Sequence, residues 1–107
     1  MRISAVMPAY NEAANIEETV RYCFQVLNNI EGDAEVVVTN DGSKDETGAI
    51  LDKLKGEFPG LVVLTNSPNQ GYGAALTKAI ESSSGELIIT MESDGQFDIA
   101  DAIEAIK

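Results

Sequence analysis

The sequence predicts an α/β fold, a three-layer βα repeat around a mostly parallel sheet. Four short apolar runs rich in β-branched residues, Ile3 to Met7, Ala34 to Thr39, Leu61 to Thr65 and Leu87 to Met91, alternate with four segments of helical periodicity. The runs are nearly continuous in hydrophobicity, as expected of strands covered on both faces. The helices between them supply the crossovers that parallel pairing requires.

The elements follow in order. After the first strand, Ile16, Val20, Phe24 and Leu27 recur at spacings of four, four and three and form one apolar stripe, with Glu17, Glu18 and Arg21 facing elsewhere. Cys23, the single cysteine, falls on the apolar side of this helix; it predicts a buried thiol and excludes disulfides within the monomer. The second helix is expected to open with Ser43-Lys44-Asp45-Glu46, which has the S-x-x-E form of a capping box. It carries Ile50, Leu51 and Leu54 and is expected to stop at Pro59-Gly60. The third runs from about Tyr72 to Ser83 and breaks at Ser84-Gly85. A fourth is expected after Asp98, whose side chain could cap it, with Ile99, Ile103 and Ile106 on its inner face. No glycine or proline stops this last helix before Lys107, so the expectation is a single domain, residues 1–107, truncated on its C-terminal side.

Length and composition bound the function. The 107 residues, 44% hydrophobic, suffice for one modest core. Seven basic residues stand against 18 acidic ones, and the net charge of −11 argues against a nucleic-acid partner and against anionic lipid surfaces. Binding a nucleoside diphosphate would call for a cation between protein and phosphates. The apolar run at the N-terminus is too short for a signal peptide, and no stretch approaches the roughly 20 residues of a membrane span. The expected location is the cytoplasm.

Ligands of open parallel sheets bind beyond the carboxyl ends of the strands. There the first strand runs into Pro8-Ala9-Tyr10-Asn11-Glu12, the second into Asn40-Asp41-Gly42-Ser43-Lys44-Asp45, and the fourth into Glu92-Ser93-Asp94-Gly95-Gln96-Phe97-Asp98. Glu12, Asp41, Asp45, Glu92, Asp94 and Asp98 would share one rim, where close carboxylates repel one another unless a divalent cation such as Mg²⁺ or Mn²⁺ neutralises them. Acidic and glycine residues are also good turn formers, which explains any one of these residues but accounts poorly for three acidic turns on one edge. Tyr10 could stack on a nucleobase or cover the sheet edge, and Asp41 could accept from a base N–H or cap a turn. Gly42 fits a tight turn. Asn69-Gln70-Gly71-Tyr72-Gly73-Ala74-Ala75 allows close backbone approach at a helix start, and Lys78 reads as a phosphate contact or a solvated surface lysine.

These four segments resemble, in order and spacing, the family-2 glycosyltransferases of GT-A fold. The similarity is greatest to the branch that includes dolichol-phosphate mannosyltransferase and related polyprenyl-phosphate glycosyltransferases. The resemblance implies a Rossmann-like nucleotide-binding half of that fold. It implies that Pro8, Tyr10 and Glu12 line the nucleotide pocket, with Asp41 on the base and the backbone near Thr39 beside it. Glu92, Ser93 and Asp94 stand where the family has its D-x-D motif. Glu92 and Ser93 would lie on the nucleotide, and Asp94, with Gln96 and Glu92, would hold Mg²⁺ or Mn²⁺. The implied reaction moves a sugar from a nucleoside-diphosphate sugar donor to an acceptor, with inversion, as the metal stabilises the departing diphosphate. The acceptor site and catalytic base are implied beyond residue 107, and a membrane lipid-phosphate acceptor, met at the cytoplasmic face, belongs only to a full-length form. Two residues depart from the family pattern: Asn40 replaces the usual first acidic residue of its motif, and Glu92 replaces the first Asp of D-x-D.

Two other readings compete. A truncated, non-catalytic nucleotide-binding module of the same fold would keep the pocket without transfer chemistry. A receiver-like signalling domain shares the length, acidity and βα pattern but needs paired acids after strand one and an acceptor Asp after strand three. Pro8-Ala9-Tyr10 and Asn66-Ser67-Pro68 stand there instead. A truncated sheet would also expose an edge through which the chain could form a homo-oligomer.

Overall fold

The computed structural model describes residues 2–29 and 34–92. Within them, β1 (Ile3–Ala9), β2 (Ala34–Asp41), β3 (Leu61–Asn66) and β4 (Leu87–Thr90) form one parallel sheet in the order β3-β2-β1-β4. Helices α1 (Ile16–Asn28), α2 (Thr47–Glu57) and α3 (Tyr72–Ser82) connect them. The chain steps outward from β1 to β3 and then crosses back to place β4 on the other side of β1, which is where the strand order reverses. The α/β expectation holds. The expected fourth helix lies outside the described residues.

Every residue of β1 and β2 is buried, which is why their sequences lack polar alternation. Alternate side chains serve different layers. Ala5, Met7, Val36 and Val38 join the larger core with Ile16, Val20, Phe24 and Leu27 of α1 and Leu51 and Leu54 of α2. Val6 and Val37 face the other way, onto Ala79 of α3. The predicted α1 stripe is buried throughout, and Cys23 beside it is fully enclosed, with burial pushing its thiol up to about 12. Phe24 and Phe58 stack with centroids 4.7 Å apart, and Arg21 pairs with Glu17 on its own helix and joins α1 to α2 through Glu57.

Turn-forming residues continue the central ladder, in which Pro8 pairs with Thr39 and Ala9 with Asn40. A proline in a central strand is tolerated here for a geometric reason. The Val6 carbonyl accepts the Met91 N–H, so alternate residues of β1 direct their backbone groups toward β4, and Pro8 does so beyond the last β1–β4 pair, Val6 with Thr90. The missing N–H therefore breaks no rung.

The expected capping box at α2 is not formed. The helix begins at Thr47, and the Ser43 hydroxyl accepts the Asn11 N–H at 3.0 Å instead. Asp45 takes the Thr47 N–H at 3.0 Å. At the opposite edge of the sheet, Glu35 is a buried carboxylate inside an apolar run. Its Oε2 accepts from Ser4 Oγ at 2.6 Å and from Ser84 N and Oγ at 2.8 and 3.0 Å, tying the loop before β4 to the two central strands. Burial pushes this carboxyl up, but the donors together outweigh burial and hold it below its ordinary value.

Gly60 does more than follow a helix. A Cβ there would lie 2.7 Å from the Ala34 carbonyl oxygen and 3.2 Å from the Phe24 ring. Gly60→Ala is therefore expected to destabilise the fold by about 1–3 kcal/mol, read as a lower urea midpoint. An unchanged midpoint would show that the Phe24 ring and the backbone yield without cost.

Candidate functional site

A cleft of about 280 Å³ opens at the carboxyl edge of the sheet, beside the point where the strand order reverses. Pro8, Ala9, Tyr10, Glu12, Asp41, Asn69, Tyr72 and Glu92 line it. A second hollow, between the ends of β2 and β3, shares Tyr10 and Asn69 with it and adds Ser43 and Lys44. Tyr10, 46% exposed, lines both.

Asp41 organises one wall. Although nearly buried, its carboxylate has all four acceptor positions used. Oδ1 accepts from Asn66 Nδ2 at 2.9 Å and Gln70 N at 2.8 Å, and Oδ2 from Asn69 Nδ2 at 3.0 Å and Gly71 N at 2.9 Å. Burial pushes the carboxyl up; the bonds from Asn66, Gln70 and Gly71 outweigh it, and the pKa falls below the ordinary range. The loop leading into α3 is thus pinned to the end of β2. Gly42, at φ 72, permits this approach, because a Cβ there would lie 2.7 Å from Asn69 N.

Lys78 belongs to the same arrangement. Its ammonium donates to Asn66 Oδ1 at 2.8 Å and to the Thr65 carbonyl at 3.3 Å, so it is neither a free surface lysine nor aimed at the cleft. Since an ammonium only donates and a carboxylate only accepts, the pair sets the orientation of the Asn66 amide between them.

Glu12 reaches the cleft from the turn after β1, where its backbone N–H donates to Thr47 Oγ1 at 2.9 Å. Its Oε2 is buried without a hydrogen-bond partner among the described residues. Thr39, paired with Pro8 across the β1–β2 ladder, is fully buried and lines neither hollow. On the far wall the Tyr72 hydroxyl donates to Glu92 Oε1 at 3.0 Å, and this bond raises the phenol's pKa above its ordinary value. Asn69 and Tyr72 also line the cleft, a role that their motif, which signals only close backbone approach at a helix start, does not announce.

The expected rim of carboxylates is only partly a cluster. The charges of Asp41 and Asp45 are met by backbone and side-chain donors of the chain itself. Among the described residues no group of three or more His, Cys, Asp or Glu side chains could hold a metal ion. Ser93, Asp94, Gln96 and Asp98 lie outside the described residues. Glu92 offers a hard oxygen donor at the mouth of an open cleft, which fits a cation completed by water and phosphate oxygens.

The Asp41 network carries a pH consequence. With its folded pKa depressed, its stabilising contribution is complete above the ordinary value of 3.8 and lost as pH falls through the lower folded value. Asp41→Asn sets an NH₂ group among donors and is expected to cost about 1.5–3 kcal/mol at pH 7. Urea titrations from pH 7 to about pH 3 should show a shallower acid loss in the variant than in the parent, Glu35 and Asp45 supplying the remainder. Equal slopes would mean that Asp41 does not contribute to acid unfolding.

Comparison with known proteins agrees with this fold. The family model described as Glycosyl transferase family 2 matches residues 4–106. The glycosyltransferase AglD of Haloferax volcanii is 35% identical over 109 residues, covering 100% of this chain and 18% of its own length. A dolichyl-phosphate beta-glucosyltransferase of Trichomonas vaginalis is 39% identical over 95 residues, covering 84% of this chain and 28% of its own. Among solved structures, a mannosyltransferase from Pyrobaculum calidifontis in complex with GDP-Man and Mn²⁺ superposes with a TM-score of 0.81 at 25% identity, covering 95% of this chain and 30% of that one. The chain thus spans less than a third of the length of each of these proteins, and it belongs to glycosyl transferase family 2.

Proposed function

We propose that this chain forms the donor-binding part of a metal-dependent glycosyltransferase that moves a sugar, with inversion, from a nucleoside-diphosphate sugar to a polyprenyl or dolichyl phosphate. The observation that carries the reading is the cleft itself. It sits at the strand-order reversal, lined by an exposed aromatic residue, Tyr10, and by two carboxylates, Glu12 and Glu92, of which Glu12 keeps one oxygen without a hydrogen-bond partner among the described residues. The polyprenyl acceptor is suggested by the name of the Trichomonas relative, and the donor and metal by the contents of the Pyrobaculum structure.

In this reading the Tyr10 ring stacks on the base and Glu12 accepts from hydroxyl or amide groups of the nucleoside. Glu92 with Asp94 and Gln96 would hold Mg²⁺ or Mn²⁺, which when bound stabilises negative charge on the departing diphosphate. Asp41 shapes the wall: a base N–H reaching its carboxylate would have to share an oxygen already bonded to the loop.

Calorimetric titration of UDP and GDP, each with and without Mn²⁺, tests the reading. Binding is expected to need Mn²⁺, to be lost in Asp94→Ala, and to weaken about tenfold in Tyr10→Ala as one stacking contact disappears. A folded parent chain that binds neither nucleotide would sink the donor-site reading.

A further inference from the structure

The turns that follow β1 and β2 are stitched together by backbone and side-chain groups from both. Asn11 N donates to Ser43 Oγ at 3.0 Å, Lys44 N to Asn11 Oδ1 at 2.8 Å, Glu12 N to Thr47 Oγ1 at 2.9 Å, and Ala13 N to Asp45 Oδ2 at 3.2 Å. Asn11 stands at φ 54, a left-handed conformation that asparagine tolerates better than most residues. At Thr47 the direction of each bond is forced. The Glu12 amide can only donate, so the hydroxyl oxygen accepts there, and its single proton goes to Asp45 Oδ1 at 2.5 Å. The same oxygen of Asp45 accepts the Thr47 N–H at 3.0 Å.

We infer that Asp45 is a positioning residue of the donor cleft, acting through the Thr47 hydroxyl and the Ala13 amide to set the backbone, and hence the carboxylate, of Glu12. Asp45 is exposed and lines neither hollow, so its effect passes through others. Thr47 is fully buried, which leaves its hydroxyl no water to replace the carboxylate. Glu12 needs a backbone anchor, since its Oε2 has no partner of its own among the described residues. The bonds from Thr47 and Ala13 also hold the Asp45 carboxyl below its ordinary pKa, as expected of donors that favour the ionised form.

The inference rests on the donor-site reading, and one set of titrations separates the two. UDP and GDP with Mn²⁺ are titrated into the parent, Asp45→Asn, Thr47→Val and Thr47→Ser, with amide spectra of each chain recorded alongside. Asp45→Asn and Thr47→Val are expected to bind about tenfold more weakly, Thr47→Ser within about twofold of the parent, as one directed hydrogen bond is lost or kept. The Glu12 and Ala13 amide resonances should move in the two weak binders and stay in place in Thr47→Ser. In a Glu12→Gln background the Asp45→Asn loss should shrink, because coupled residues are not additive. Parent-like affinity in folded Asp45→Asn, or an undiminished loss in the Glu12→Gln background, overturns the inference alone. Should Asp45→Asn fail to fold, equal affinities of Thr47→Val and Thr47→Ser overturn it. A parent that binds neither nucleotide overturns the donor site and this inference with it.

Discussion

A carboxylate has about four acceptor positions, and the shape of the cleft depends on a residue where all are filled. Asp41 stands at the last rung of β2 and gathers the loop between β3 and α3 through the Asn69 amide and the N–H groups of Gln70 and Gly71, while the Asn66 amide at the end of β3 fills its fourth position. A buried charge is costly unless hydrogen bonds replace its hydration, and here they do. Gly42, Asn66 and Lys78 follow from that requirement: one permits the approach, one bridges, and one orients the bridge. With the loop held, Asn69 and Tyr72 come to face Tyr10 and Glu12.

The sheet supplies the rigid base for this arrangement. Because β1 and β2 are covered on both faces, neither can shift along the other without exposing apolar side chains, so the register Pro8 with Thr39 is strongly specified. The turn after β1 therefore always meets the turn after β2. The two carboxylates of that second segment divide the labour, Asp41 holding the loop on the β3 side and Asp45 the turn on the β1 side.

Much of this was legible in the sequence because it rests on periodicity. The α1 stripe, the near-continuous strands and the carboxyl-edge placement of the motifs all follow from spacing and the exclusion of water. What was not legible depends on partners far apart along the chain. Ser43 had the right spacing for a capping box, yet the nearer donor in space was Asn11, 32 residues earlier. Lys78 sits on a polar helix face like any surface lysine, and only the end of β3 beneath it gives it a carbonyl and an amide to bind. Glu35 falls inside an apolar run, and its donors come from Ser4 and from Ser84, 49 residues later. The acidic rim suggested a cation by the logic of repulsion, whereas two of its members are satisfied by N–H groups whose positions no local pattern announces.

The lining of the cleft has a kinetic consequence. None of its eight described residues is Lys or Arg, and Arg21 and Lys78 are engaged with partners elsewhere. In a chain of net charge −11, an anion drifting toward this mouth meets, in the described lining of the cleft and of the adjoining hollow, the single cation Lys44 set against the long-range field. Added salt shortens the reach of that field, to about 8 Å at physiological ionic strength. Encounter with an anionic ligand should therefore quicken as ionic strength rises, the reverse of the steering seen where a basic funnel guides phosphates inward.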